Sequence, residues 1–205
     1  MEFFSEAELA KELSTPRHQW GKAILNELVD NALDACETAG IAPHITVTED
    51  DRARTLTVQD NGPGLPLAVL EKSLDYTVRV SDKAYYVSPS RGQQGHALKC
   101  LWPLPFVVGG QRAPGQVDVS MHGMRYEVRV SVDAIAHFPQ LTVTPIPAPE
   151  VKSGTAVTIH WPGIVAMGDT ALRRLFAFLR RTTCSSAMPC SIRTRRLSMR
   201  GQARW

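Results

Sequence analysis

A chain of 205 residues with 43% hydrophobic and 21% charged side chains suits one globular domain, or one and a fraction, and excludes a fibrous or low-complexity protein. The net charge of +3 hides an asymmetry: residues 180 to 205 hold seven Arg and no acid, leaving 16 basic against 20 acidic groups before them, too few cations for tight nucleic-acid binding by the body alone. The start Met1-Glu2-Phe3-Phe4 lacks the order of a signal peptide, no apolar run approaches the ~20 residues of a membrane span, and Cys36, Cys100, Cys184 and Cys190 lack metal-ligand spacing; a cytoplasmic protein with structural thiols is expected.

Residues 5 to 13 alternate acids with Ala and Leu in a helical pattern, and after Ser14-Thr15-Pro16 a longer helix is predicted to about Ala39, closed by Gly40. Ile24, Leu25, Leu28, Val29, Ala32 and Cys36 form its apolar stripe, while Glu27, Asn31 and Asp34 fall at i, i+4 and i+7 on another face. Period-two alternation over 44–48 and 55–59, across a charged turn at 49–52, predicts an antiparallel hairpin. A short helix is expected over 65–74, a long loop over 75–90, and a further helix after Gly95. From Val107 the pattern turns to strands around 117–119, 126–132, 141–143 and 156–161, with Pro145 to Pro149 as a connection at a sheet edge. The expected fold class is therefore an α/β (α+β) two-layer sandwich: a mixed, mostly antiparallel sheet with helices on one face.

Three fragments carry chemistry. Asp60-Asn61-Gly62-Pro63-Gly64 places a carboxylate at a strand end, where it can accept from the exocyclic amine of adenine and reject guanine, while Gly62 and Gly64 permit close backbone approach. Taken alone, the same pattern also describes a hairpin turn. Glu27 can orient or deprotonate water, and the amide oxygen of Asn31 can ligate Mg²⁺, which takes few protein ligands; a solvated helix face is the bland alternative. Asp34 either contacts ligand or holds the helix to the nucleotide loop. Arg91-Gly92-Gln93-Gln94-Gly95 runs into a helix, so backbone N–H groups, the helix N-terminus and the donors Arg91, Gln93 and Gln94 can receive phosphate oxygens. His96 either joins them or is a surface residue. Lys83 supplies a cation in the long loop.

Together these segments resemble the ATPase fold shared by DNA gyrase, the heat-shock ninety chaperone, histidine kinases and MutL, the GHKL group, and within it most of all the B subunit of topoisomerase VI. The resemblance covers about residues 2 to 161 and includes Ser81-Asp82-Lys83. It implies ATP and Mg²⁺ as cofactors, Glu27 as the catalytic carboxylate, Lys99 at the place of a basic residue found in some relatives, and Thr155 of Ser153-Gly154-Thr155 supporting Asp60 through its hydroxyl. His96-Ala97 departs from the Ile-Gly or Leu-Gly pair of the relatives. The resemblance further implies a homodimer formed on nucleotide binding and a DNA-cleaving partner subunit, with DNA met only indirectly and no membrane. The expected function is an Mg-dependent, slowly hydrolysing, nucleotide-operated clamp. The alternatives are a non-hydrolysing ATP-binding regulatory module, a histidine-kinase-like enzyme or a MutL-like ATPase.

The domain expectation is an ATP-binding unit over 1–165, the start of a linker helix over 166–181, a disordered basic tail over 182–205, and no room for the transducer domain of topoisomerase VI. The tail has too few apolar side chains to offset its ordering entropy. Its alternatives are nucleic-acid contact, or an end that does not continue the ancestral reading frame.

Overall fold

The structure, a computed structural model, describes residues 3–76, 96–133, 135, 138–161, 191–197 and 203–204. Two helices open it. Helix α1 (Glu6–Leu13) starts at Ser5, whose hydroxyl accepts from the Glu8 amide at 3.2 Å, with Glu6 and Glu8 complementing the helix dipole in its first turn. A single 3₁₀ turn then leads into α2 (Trp20–Thr38). Gly40, at φ 66°, closes α2, with the amide of Ile41 donating to the Cys36 carbonyl.

Strands β1 (His44–Asp50) and β2 (Thr55–Gln59) form the expected hairpin. The first strand runs on to Asp50, whose carboxylate accepts from the amides of Arg52 and Ala53 and so draws the turn into 51–54. Next come α3 (Leu67–Leu74), α4 (His96–Leu101) and α5 (Leu104–Val108). The last was not expected: the run Leu104-Pro105-Phe106-Val107 is buried on all sides, so it shows no period. Four strands follow, β3 (Gly115–Met121), β4 (Met124–Val132), β5 (Pro139–Pro147) and β6 (Thr155–His160), and then β7 (Ser191–Leu197) and β8 (Ala203–Arg204).

All lie in one eight-stranded sheet of order β5-β4-β3-β6-β2-β1-β7-β8, antiparallel throughout except for β1 with β7. Strand alternation sends Ile45, Val47, Leu56, Val58, Val117, Val119 and Ile159 to one face, where they meet the apolar stripe of α2 and the side chains of α5. Gly115 lets α5 come close: a Cβ there would stand 2.3 Å from the Phe106 amide nitrogen. The other face is polar, with the Thr57 and Thr158 hydroxyls 2.9 Å apart and Asp118 held by Gln116 and His160. Burial pushes the Asp118 carboxyl up, but these two hydrogen bonds and the charges of His160 and Arg125 outweigh it and leave it below the ordinary value.

Two expectations are corrected. Pro145 and Pro147 belong to β5 rather than to a connection; β5 is the edge strand, where a missing N–H costs no ladder bond. Ser191–Leu197, expected to be disordered, pairs in parallel with the whole of β1. Its order comes from backbone pairing to an otherwise open edge, with Ile192 buried beside Ile45, and not from an amphipathic pattern of its own. Positions 166–181 lie outside the described residues.

Candidate nucleotide site

Where β2 ends, the chain makes its turn under unusual constraint. Asp60 is 9% exposed, and its Oδ1 accepts from the amides of Gly62 at 2.8 Å and Thr155 at 3.1 Å. Its own amide donates to the Thr155 carbonyl, and the Gly154 amide donates to the Gly62 carbonyl. The other carboxylate oxygen has no partner among the described residues and is the acceptor left for a ligand. Burial raises the Asp60 carboxyl above the ordinary 3.8, and the two backbone donors only partly offset this.

Asn61 points the other way. Its side-chain oxygen accepts from the His44 amide at 2.7 Å and lies 3.5 Å from the Cys36 sulfur, while its amide donates to the Ala42 carbonyl. The turn is thereby tied to the end of α2 and the start of β1. Burial, then the charge of Asp60, pushes the Cys36 thiol up to about 11, so it packs as an inert group.

Gly154, at φ 75°, lets β6 reach the turn: a Cβ there would lie 2.0 Å from the Asp60 carbonyl oxygen. Gly154→Ala is therefore expected to destabilise the domain by about 2–4 kcal/mol and weaken nucleotide binding with it, measured by urea unfolding and ligand titration. The Thr155 contribution differs from expectation in one respect. Its contact to Asp60 is made by the backbone amide, not the hydroxyl, because the strand start presents its N–H straight at the carboxylate.

On α2, Glu27 and Asn31 line one cleft with Ile24 and Leu28, closed on the far side by Leu98 and Leu101 of α4. Glu27 is exposed and Asn31 half-buried. The nearness of Glu27 to α4 is also felt by Cys100, whose thiol is pushed up to about 12 by burial and then by the charges of Glu12 and Glu27. Asp34 is half-buried and does not line this cleft. Nor does Lys99, which is 8% exposed; its ammonium donates to the Asp75 carbonyl at 2.8 Å, at the end of α3. Lys83 and Arg91, Gly92, Gln93, Gln94 and Gly95 lie outside the described residues, and α4 begins at His96 immediately after them.

The donor set fits the ligand inferred from the motifs. A free carboxylate oxygen at the end of a glycine-built cradle suits the amine of adenine, and an exposed carboxylate one helical turn from an amide suits water and a cation that keeps most of its hydration. Among the described residues no group of three His, Cys, Asp or Glu could hold a metal without help from a ligand, so Asn31 would do so only together with phosphates. The structure also exposes roles that residue patterns did not: Asn61 as a tie, Gly154 as a spacer, and His122 against Gly64. Only Gly154 had a signal in the sequence, its neighbours Ser153 and Thr155.

The family model described as "Histidine kinase-, DNA gyrase B-, and HSP90-like ATPase" matches residues 21–163. The chain belongs to this ATPase family. Among curated relatives of the ATPase domain, it is 43% identical over 74 residues to the B subunit of type 2 DNA topoisomerase 6 from Archaeoglobus fulgidus, covering 35% of this chain and 12% of the relative. It is 40% identical over 116 residues to the protein of the same name from Thermococcus onnurineus, covering 54% of this chain and 20% of the relative. Similarity also extends to the chaperone protein HtpG of Nitrobacter winogradskyi, 32% identical over 177 residues, 76% of this chain and 27% of that protein. The chain thus spans about a quarter or less of the length of these relatives. No helix among the described residues is long and apolar enough to cross a membrane.

Proposed function

We propose that this domain binds ATP with Mg²⁺ and hydrolyses it slowly, as the nucleotide-operated clamp of a protein similar to the B subunit of topoisomerase VI. One observation carries the reading: Asp60 spends one oxygen on the amides of Gly62 and Thr155 and keeps the other for an adenine amine. Asn31 would hold the cation that accompanies the phosphates, and that cation supplies neutralisation of their charge. Glu27 orients the water and accepts its proton. Gly92 and Gly95, with Arg91, Gln93, Gln94 and Lys83, would receive the phosphates. Asp34 supports α2 beside the nucleotide.

A homodimer closing on nucleotide and a DNA-cleaving partner subunit follow from what the topoisomerase relatives are called, with DNA reached through that partner and the whole located in the cytoplasm. Equilibrium titration with a non-hydrolysable ATP analogue and Mg²⁺ is expected to show saturable binding; no binding at millimolar analogue overturns the proposal. A non-hydrolysing regulatory module is the second reading, favoured by the commitment of Lys99 to the Asp75 carbonyl. Binding without phosphate release would select it.

A further inference from the structure

We propose that His122, at the tip of the β3–β4 hairpin, is a positioning residue for the nucleotide, acting by ring contact on the Asp60–Gly64 turn. The proposal rests on the nucleotide-binding reading above. Met121 and Met124 pair across a two-residue turn in which His122 has φ 51° and Gly123 φ 75°. Two successive left-handed residues make the type I′ geometry, for which Asn-Gly is the favoured sequence and an imidazole a poor choice. The tip is pinned from outside: the Gly123 amide donates to the Val151 carbonyl at 2.7 Å, and the Gly123 carbonyl accepts from the Ala148 amide at 2.8 Å. A side chain kept where local preference disfavours it points to a use for that side chain.

Its use lies across the gap at Gly64. There, at φ 90°, a Cβ would stand 2.6 Å from His122 Cε1, 2.8 Å from Nε2 and 3.3 Å from Nδ1, so the imidazole fills the space that a side chain would otherwise take. The turn is therefore held at three points: Asp60 by Thr155, Gly62 by Gly154 and Gly64 by His122. The first two are backbone hydrogen bonds at the start of β6. The third is a side-chain contact on the outer rim, and it alone can be removed without touching the backbone. Without the ring, Gly64 is free to move outward, and the turn presents the Asp60 carboxylate to the base less sharply.

Turn preference and ring contact make opposite demands at position 122, which separates a positioning role from a structural one. His122→Asn restores the favoured turn sequence while deleting the ring; the nucleotide-free melting temperature should hold or rise, and ADP–Mg²⁺ should bind about five- to tenfold more weakly. His122→Phe keeps a flat ring and should bind ADP within about twofold of the parent. Unchanged affinity in His122→Asn, equal weakening in both variants, or a fall in melting temperature that accompanies the loss of affinity would overturn the proposal. If the parent binds ADP and His122→Asn binds it equally, the positioning role alone fails; if the parent does not bind, the nucleotide reading fails and this proposal with it.

Discussion

Asp60→Asn is expected to abolish nucleotide binding while leaving the fold intact or firmer. Asparagine retains one oxygen to accept from the Gly62 and Thr155 amides, so the turn keeps both hydrogen bonds. In place of the second oxygen it offers an N–H₂ donor to the adenine amine, two donors face one another, and the affinity loss should reach roughly 3 kcal/mol, about a hundredfold in Kd. Stability should move oppositely. Burial holds the Asp60 carboxyl above its ordinary value, so its contribution is full below about pH 4 and is lost as pH rises through the folded-state value. A residue that cannot ionise avoids that loss: without ligand, Asp60→Asn should melt at or above the parent at pH 7, with the gap closing on acidification. Affinity in the parent needs the ionised carboxylate and should fall as pH drops through the same value. Parallel melting and ligand titrations across pH check both signs; an Asp60→Asn domain that binds ADP like the parent removes Asp60 from the site.

Glu27→Ala is the second large effect, with turnover expected to fall about 10²- to 10⁴-fold and the Kd for ADP to change by less than about threefold. Glu27 is exposed on α2 at the cleft shared with Asn31, Leu98 and Leu101, so its truncation opens no cavity in the core. Steady-state phosphate release beside equilibrium titration separates the two quantities. Equal loss in both refutes the assigned role, and turnover unchanged from the parent shows that another group activates water.

The extent to which residue patterns disclosed this protein varies along the chain. In α2 the apolar stripe and the polar positions Glu27 and Asn31 were both readable, because helical period alone decides which side chains share a face. The same holds for the β1–β2 hairpin and for β3, β4 and β6, where alternation records which face is buried. Helix α5 and strand β7 escaped for opposite reasons. One is buried all round and so lacks period; the other is stabilised by an edge provided by β1, more than a hundred residues earlier in the chain. The support of Asp60 was half visible: Ser153-Gly154-Thr155 marked the place, but only the antiparallel register of β2 with β6 made the Thr155 amide the donor.

By itself the sequence determined the class of this protein: an ATPase-family α/β sandwich in which an acid ends a strand, two glycines follow it, and a helix carries a carboxylate one turn from an amide. These are local properties, set by periodicity and by the few residues that a given chemistry accepts. The tertiary structure alone decided which oxygen of Asp60 remains for a ligand, that Lys99 holds the end of α3 instead of lining the Glu27–Asn31 cleft, and that an imidazole from a distant hairpin rests on Gly64. Each of these depends on contacts between segments far apart in the chain, which no local pattern encodes.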